Sequence, residues 1–187
     1  MAQPEHVDFN SIQGRVPVSY RVVADSLASA DNTSEQVAPY ILPRYRSLEM
    51  TPLDGMIYGE SSTRLGDVLD GLSNTLMIGE TYTNTSKVIH HQALDYWAFF
   101  SPQIENWSWG TIDGTEFSEA AGSTVEGINS HLDSGLDGVI REMTFGSYHI
   151  GGAFFVMGDG SVRFINEDID LEAYRGLATR SGSEIVQ

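Results

Sequence analysis

The stretch that most constrains this chain runs from Tyr148 to Ile165, where Asp159-Gly160 separates two runs of apolar, β-branched and aromatic residues. Asp-Gly accepts positive φ at both positions of a two-residue connection, so the stretch reads as a β-hairpin. Counting outward from that turn pairs Gly158 with Ser161, Met157 with Val162, Val156 with Arg163 and Phe155 with Phe164. One face then carries Ala153, Phe155, Met157, Val162 and Phe164 as the expected core. The other carries Phe154, Val156, Arg163 and Ile165, apolar enough to call for a covering helix or a second subunit. Gly151-Gly152 suggests a bend or a close backbone approach, and His149 marks the start of the hairpin. No second histidine or cysteine stands near His149 at metal-ligand spacing, so a histidine that fixes a neighbouring loop is preferred to a ligand.

Further motifs accompany the hairpin. His149 is followed, after nine residues, by Asp159-Gly160; Asp70-Gly71-Leu72-Ser73-Asn74-Thr75 leads into Leu76-Met77-Ile78-Gly79-Glu80; and Ser19-Tyr20 stands early in the chain. In these segments, and in a closing stretch from Tyr174 to Val186, the sequence resembles a large bacterial family abundant in planctomycetes, the prepilin-type proteins with a processing-associated His-x9-Asp-Gly domain (domain of unknown function 1559). The resemblance spans the chain from about Ser19 onward. It implies a pilin-like globular head at the cell surface or outside the cell, and association with copies of itself or with other pilin-like subunits. It implies no enzymatic activity. His149, Asp159, Gly160, Asp70, Gly71, Ser73, Asn74 and Glu80 are the motif positions it marks. Such proteins usually begin with a leader and a long apolar helix, whereas this sequence begins Met1-Ala2-Gln3-Pro4-Glu5. The expected reading is the globular part without the pilin helix.

Charge narrows the partners. The formal net charge is -16 over 187 residues, a sign that repels nucleic acid and anionic lipid, both of which need a basic footprint. An acidic surface attracts cations, calcium among them, or a basic partner, and it also keeps a protein soluble. The sequence contains no cysteine, which removes disulfides and thiolate chemistry. No run approaches the roughly 18 consecutive apolar residues of a membrane-spanning helix.

Read in order, residues 1–17 are polar and broken by Pro4, Gly14 and Pro17, an arm suited to ordering against a neighbour. Residues 18–187 then form a single β-rich domain. Val16 to Ala24 alternates as a first strand, with Val18, Tyr20 and Val22 on one face. The stretch from Val37 to Leu48 reads as an extended packing segment broken by Pro39 and Pro43. Asp54-Gly55 is a turn, and Met56 to Gly59 a short strand. A short helix is expected near 63–70, a buried strand from Leu72 to Thr81, and a C-terminal helix near 168–179 with Asp168 or Asp170 as its cap and Leu171, Tyr174 and Leu177 on one face. This helix is expected to cover the second hairpin face, over Phe154 and Ile165. The whole is an α+β fold with a mainly antiparallel sheet.

Two groups of side chains are candidates for binding. Asp133 and Asp137, in the oxygen-rich stretch 133–138, and Asp67 with Asp70 are candidate calcium ligands, although neither set follows an EF-hand series and turn-making is the plainer role. Trp97, Trp107 and Trp109, if exposed, would offer a surface for stacking a glycan or docking a subunit; large aromatics are more often core. His90-His91 point to opposite faces of a strand and cannot share an ion there. No Gly-x-Ser-x-Gly elbow, phosphate-binding glycine loop or His-Glu-x-x-His motif is present. The functional expectation is a non-enzymatic structural subunit of a bacterial surface assembly. The alternative is a surface module binding glycan or a divalent cation, and a hydrolase would need His149 to meet a carboxylate and a nucleophile in one cleft.

Overall fold

The computed structural model describes residues 18–29, 46–48, 52–82, 120–132, 140 and 143–182. These build a five-stranded sheet and one helix: β1 (Tyr20–Asp25), β2 (Leu76–Glu80), β3 (Ala121–Ser123), β4 (Gly152–Met157), β5 (Val162–Asn166) and α1 (Leu171–Ala178). The strand order is β3-β1-β2-β4-β5. Every neighbouring pair is antiparallel except β1 with β3. The α+β class and the mostly antiparallel sheet are therefore as expected. The arm 1–17 and the closing residues 183–187 lie outside the described residues.

The sheet buries an apolar cluster on each face, because successive side chains of a strand alternate. On one face Val23, Leu76, Phe145, Ala153, Phe155, Met157 and Ile165 pack with Tyr174 and Ala178 of α1. On the other, Val22 and Ala24 pack with Leu48, Leu53, Val125, Ile140 and Met143. Asp170 caps α1 by accepting from Ala173 N at 2.9 Å, satisfying a donor that the first helical turn leaves unpaired. Arg21 of β1 is buried, with Nη1 3.0 Å from Ala121 O and Nη2 2.6 Å from Thr144 O. Its guanidinium lies over the Phe145 ring, 5.3 Å from the centroid.

The hairpin is present, but its register is one residue from the expected one. Val156 pairs with Val162, Phe155 with Arg163, Phe154 with Phe164 and Ala153 with Ile165. Met157 N donates to Ser161 O at 2.8 Å and Gly160 N to Met157 O at 2.9 Å, with Gly160 at φ +83. The loop is thus Gly158-Asp159-Gly160, a three-residue turn closed by a glycine bulge, and Asp159 is not in the left-handed region. A slip of one residue exchanges the faces of β5. Ile165 is buried with Phe155, while Val162 and Phe164 are 62% and 44% exposed beside Phe154. α1 covers the face of Phe155, whose ring meets that of Tyr174 edge-on at 5.9 Å, not the face of Phe154.

Four smaller expectations change. The helix near 63–70 is a single 3₁₀ turn, Leu65–Asp67. Met56 to Gly59 is a bent segment, not a strand: Gly55 N donates to Ala24 O at 3.0 Å, and a Cβ on Gly55 would stand 2.6 Å from that oxygen, so the chain turns against β1 instead of pairing with it. The strand from Leu72 to Thr81 begins only at Leu76, since Leu72–Asn74 form another 3₁₀ turn. The C-terminal helix is shorter than 168–179, running from Leu171 to Ala178, and beyond its end the Gly182 N–H bonds the Asp70 carboxylate.

Candidate functional site

β2 and β4 are antiparallel neighbours, with Gly79 opposite Phe155 and Leu76 opposite Met157. The turn before β2 therefore lies beside the turn after β4, and the end of β2 beside the start of β4. Asp70 precedes Glu80 by the same ten-residue interval that separates His149 from Asp159. The two motifs run past each other in opposite directions and touch at both ends.

At the turn end the contacts are dense. Gly158 N donates to Thr75 O at 2.8 Å and Asp159 N to Leu72 O at 3.1 Å. Gly71, at φ +92, allows the chain to reverse into the Leu72–Asn74 turn. Asn74 Nδ2 returns to Asp70 O at 3.1 Å, and Thr75 Oγ1 lies 3.2 Å from Gly71 O and 3.4 Å from Thr179 O. Asp70 Oδ2 accepts from Thr179 Oγ1 at 3.1 Å and from Gly182 N at 2.7 Å, tying the end of α1 to the motif. Ser73 is exposed. The Asp159 carboxylate accepts from Ser161 Oγ at 2.6 Å and Ser161 N at 2.9 Å; these bonds hold it below its ordinary range.

Arg180 joins this end to a second polar cluster. Its Nη1 donates to Leu53 O at 2.5 Å and Gly55 O at 2.7 Å, and its N–H to Asp54 O at 3.0 Å. Asp54 and the fully buried Asp25 share Arg46, whose Nη1 stands 2.8 Å from Asp25 Oδ2 and 2.7 Å from Asp54 Oδ2. Burial, and then the Asp54 charge, push the Asp25 carboxyl up to about 6, against the opposing pull of the Leu27 N–H and Arg46. Sequence reading took Asp54-Gly55 as a turn and missed the pair, because Asp25, Arg46 and Asp54 meet only through tertiary packing.

At the other end Glu80 Oε2 accepts from Phe154 N at 2.7 Å, while Glu80 Oε1 faces His149 Nε2 at 3.5 Å. His149 N donates to Ser147 Oγ at 2.9 Å, and that hydroxyl donates to Gly152 O at 2.7 Å. The histidine thus meets a carboxylate, and the adjacent hydroxyl is committed to backbone. The His149 ring is edge-on to Phe154 at 5.1 Å, and Phe154 edge-on to Phe164 at 5.1 Å. Nearby, Tyr82 stacks on His131 and meets Tyr148, each at 4.4 Å. Desolvation raises the Tyr148 hydroxyl above its ordinary range, helped by Tyr82.

The candidate calcium ligands do not form a shared site among the described residues. Asp67 Oδ2 turns back to Arg64 N at 2.8 Å, Asp70 is held as above, and no group of three or more His, Asp or Glu side chains is placed to hold an ion. Asp133, Asp137, Trp97, Trp107, Trp109 and the His90-His91 pair lie outside the described residues. No described helix is long and apolar enough to cross a membrane. β3 was not anticipated: Ala121-Gly122-Ser123 lacks the branched and aromatic residues that announce a strand. Its small residues have a cause, since a Cβ on Gly122 would stand 2.6 Å from Phe145 Cζ and 2.8 Å from Arg21 Nε.

Fold and motifs together define a small α+β domain in which two signatures brace a central pair of strands. The chain belongs to the family described as protein of unknown function (DUF1559), whose sequence model matches residues 20–172, from the start of β1 into α1. Neither the curated proteins nor the solved structures yield a match.

Proposed function

We propose that this chain is a non-enzymatic structural subunit of a bacterial cell-surface or extracellular assembly, a pilin-like head that works by holding its shape and associating with copies of itself or with related subunits. The supporting observation is where the motif side chains spend their bonds. Asp70, Asn74, Thr75 and Glu80 satisfy backbone groups of their own domain, and Asp159 caps its own turn. Residues used this way brace a scaffold; a catalytic group must instead present an unspent donor or acceptor to a reacting atom. The acidic surface fits a role that excludes nucleic acid and anionic lipid as partners.

Negative-stain microscopy combined with sedimentation of the purified chain, with calcium and with chelator, tests this reading. Filaments, tubes or other ordered multimers are expected. Loss of those particles in chelator would make calcium part of the assembly. A monodisperse monomer in every condition overturns the assembly role, and saccharide binding by that monomer would establish the binding-module alternative.

A further inference from the structure

The two edges of the sheet differ. β3 is buried at Ala121, Gly122 and Ser123, so its edge is closed. β5 is the opposite edge and is exposed at every residue but Ile165. Natural edges are usually blunted by proline, lysine, a bulge within the strand or a covering element. Among the described residues β5 has one such device, the charge of Arg163, and no proline, bulge or covering element: its pairing with β4 is uninterrupted from Asn166 to Val162, and α1 packs toward β1 and β2. Because Met157 N bonds Ser161 O and Glu167 N bonds Gly151 O, the alternation of an antiparallel ladder turns the N–H and C=O groups of Val162 and Phe164, and the N–H of Asn166, away from β4. Among the described residues nothing bonds those of Val162 and Phe164. Their side chains, with Phe154, form an apolar surface on the face that α1 does not cover.

We propose that β5 is a homotypic docking edge: a second copy of this chain adds its own β5 antiparallel, with Phe164 opposite Phe164 of the other copy. The sequence of the edge is self-complementary in that register. Val162 falls opposite Asn166, so the outward backbone groups of the two strands meet one another. Arg163, the one cation of the hairpin, falls opposite Ile165 and diagonal to Glu167 of the other copy on the same face, within reach of an ion pair made twice by the two-fold symmetry. The two Phe164 rings extend the existing Phe154–Phe164 contact across the junction. With the β3 edge closed, pairing of this kind stops at a dimer and does not run on as a continuous sheet. A five-residue edge buries less than a standard interface, so the dimer is expected to be weak and to form only at high protein concentration. With -16 charges per chain, like-charge repulsion opposes association and added salt relieves it.

The inference rests on the structural-subunit reading and names one of its contacts. Because the chain contains no cysteine, Phe164→Cys provides a direct probe. Directly opposed residues of such a ladder have Cα atoms about 5.5 Å apart, inside disulfide range. Under mild oxidation at ~100 µM, Phe164→Cys is expected to give a covalent dimer at least about ten times faster than Tyr20→Cys, an exposed control on the same sheet face. In sedimentation, Val162→Lys with Phe164→Lys should abolish dimer while circular dichroism stays unchanged. Arg163→Glu should weaken it about tenfold, and Arg163→Glu with Glu167→Arg should restore it. Equal cross-linking at positions 164 and 20, or a dimer indifferent to both the lysine pair and the charge reversal, overturns the inference. Larger particles that survive the lysine pair also overturn it and leave the assembly role standing. A dimer lost with that pair, and never exceeded in size, supports the inference and overturns the assembly role.

Discussion

The two ends of the β2–β4 pair are built from the same two motifs and are not alike. At the turn end, Asp70, Thr75, Gly158, Thr179 and Arg180 form a largely enclosed set of bonds continuous with the Asp25–Arg46–Asp54 cluster. At the other end, Glu80 and a half-exposed His149 meet at 3.5 Å beside aromatic rings open to solvent. Polar groups removed from water cost most when a partner is lost, whereas water replaces the partner of an exposed group. One end should therefore carry most of the stability, and the other distinctly less.

The largest expected effect is at the enclosed end and appears with pH. Asp25 holds its proton up to about pH 6 in the folded chain, against an ordinary value of 3.8. The folded state therefore binds the proton more tightly than the unfolded one. The contribution of this group to stability is greatest below about pH 4 and is lost as pH rises through 6, a fall of roughly 3 kcal/mol by pH 7. Denaturant unfolding of the wild type and of Asp25→Asn across pH 4 to 7 checks this. The variant should show a flatter dependence whatever its absolute stability, and parallel curves would remove Asp25 as the cause.

Asp70→Ala comes next. It strips a partner from Thr179 Oγ1 and Gly182 N, with an expected loss of about 2 kcal/mol and fraying at the end of α1 visible in hydrogen exchange. Glu80→Ala should cost about 1 kcal/mol, because Phe154 N regains a partner from water. His149→Ala should change stability by less than about 0.5 kcal/mol, because its half-exposed ring makes only a long contact with Glu80 and water can take its place. If His149→Ala proved as damaging as Asp70→Ala by chemical denaturation, the contrast between the two ends would collapse.

Much of this was legible in the sequence, and the failures have physical reasons. The hairpin, the central strand before Glu80, the capped C-terminal helix and the α+β class follow from alternation, turn chemistry and capping. The register does not, because Asp-Gly serves equally as a two-residue turn and as the last two positions of a three-residue turn with Gly160 left-handed. That single ambiguity moves Val162 and Phe164 from core to surface and Ile165 from surface to core. β3 escaped notice because close packing against Phe145 and Arg21 selects small residues there. At the candidate site the sequence marks Asp70, Asn74, Glu80, His149 and Asp159 but not their partners Thr75, Thr179 and Arg180, nor the contact between Glu80 and His149, since nothing local links position 80 to position 149.

The equal intervals from Asp70 to Glu80 and from His149 to Asp159 make the paired motifs behave as a caliper. The pair already takes up one extra residue of β2 between Leu76 and Ile78, where the register shifts; a further residue added to or removed from either interval would leave one jaw closed and pull the other apart. Length can vary freely only outside the jaws, in the connections before Asp70 and between Glu80 and His149. In chains of this design, sequence drift should accumulate as insertions in those connections, while the distance between the marked residues stays fixed even where the residues between them change.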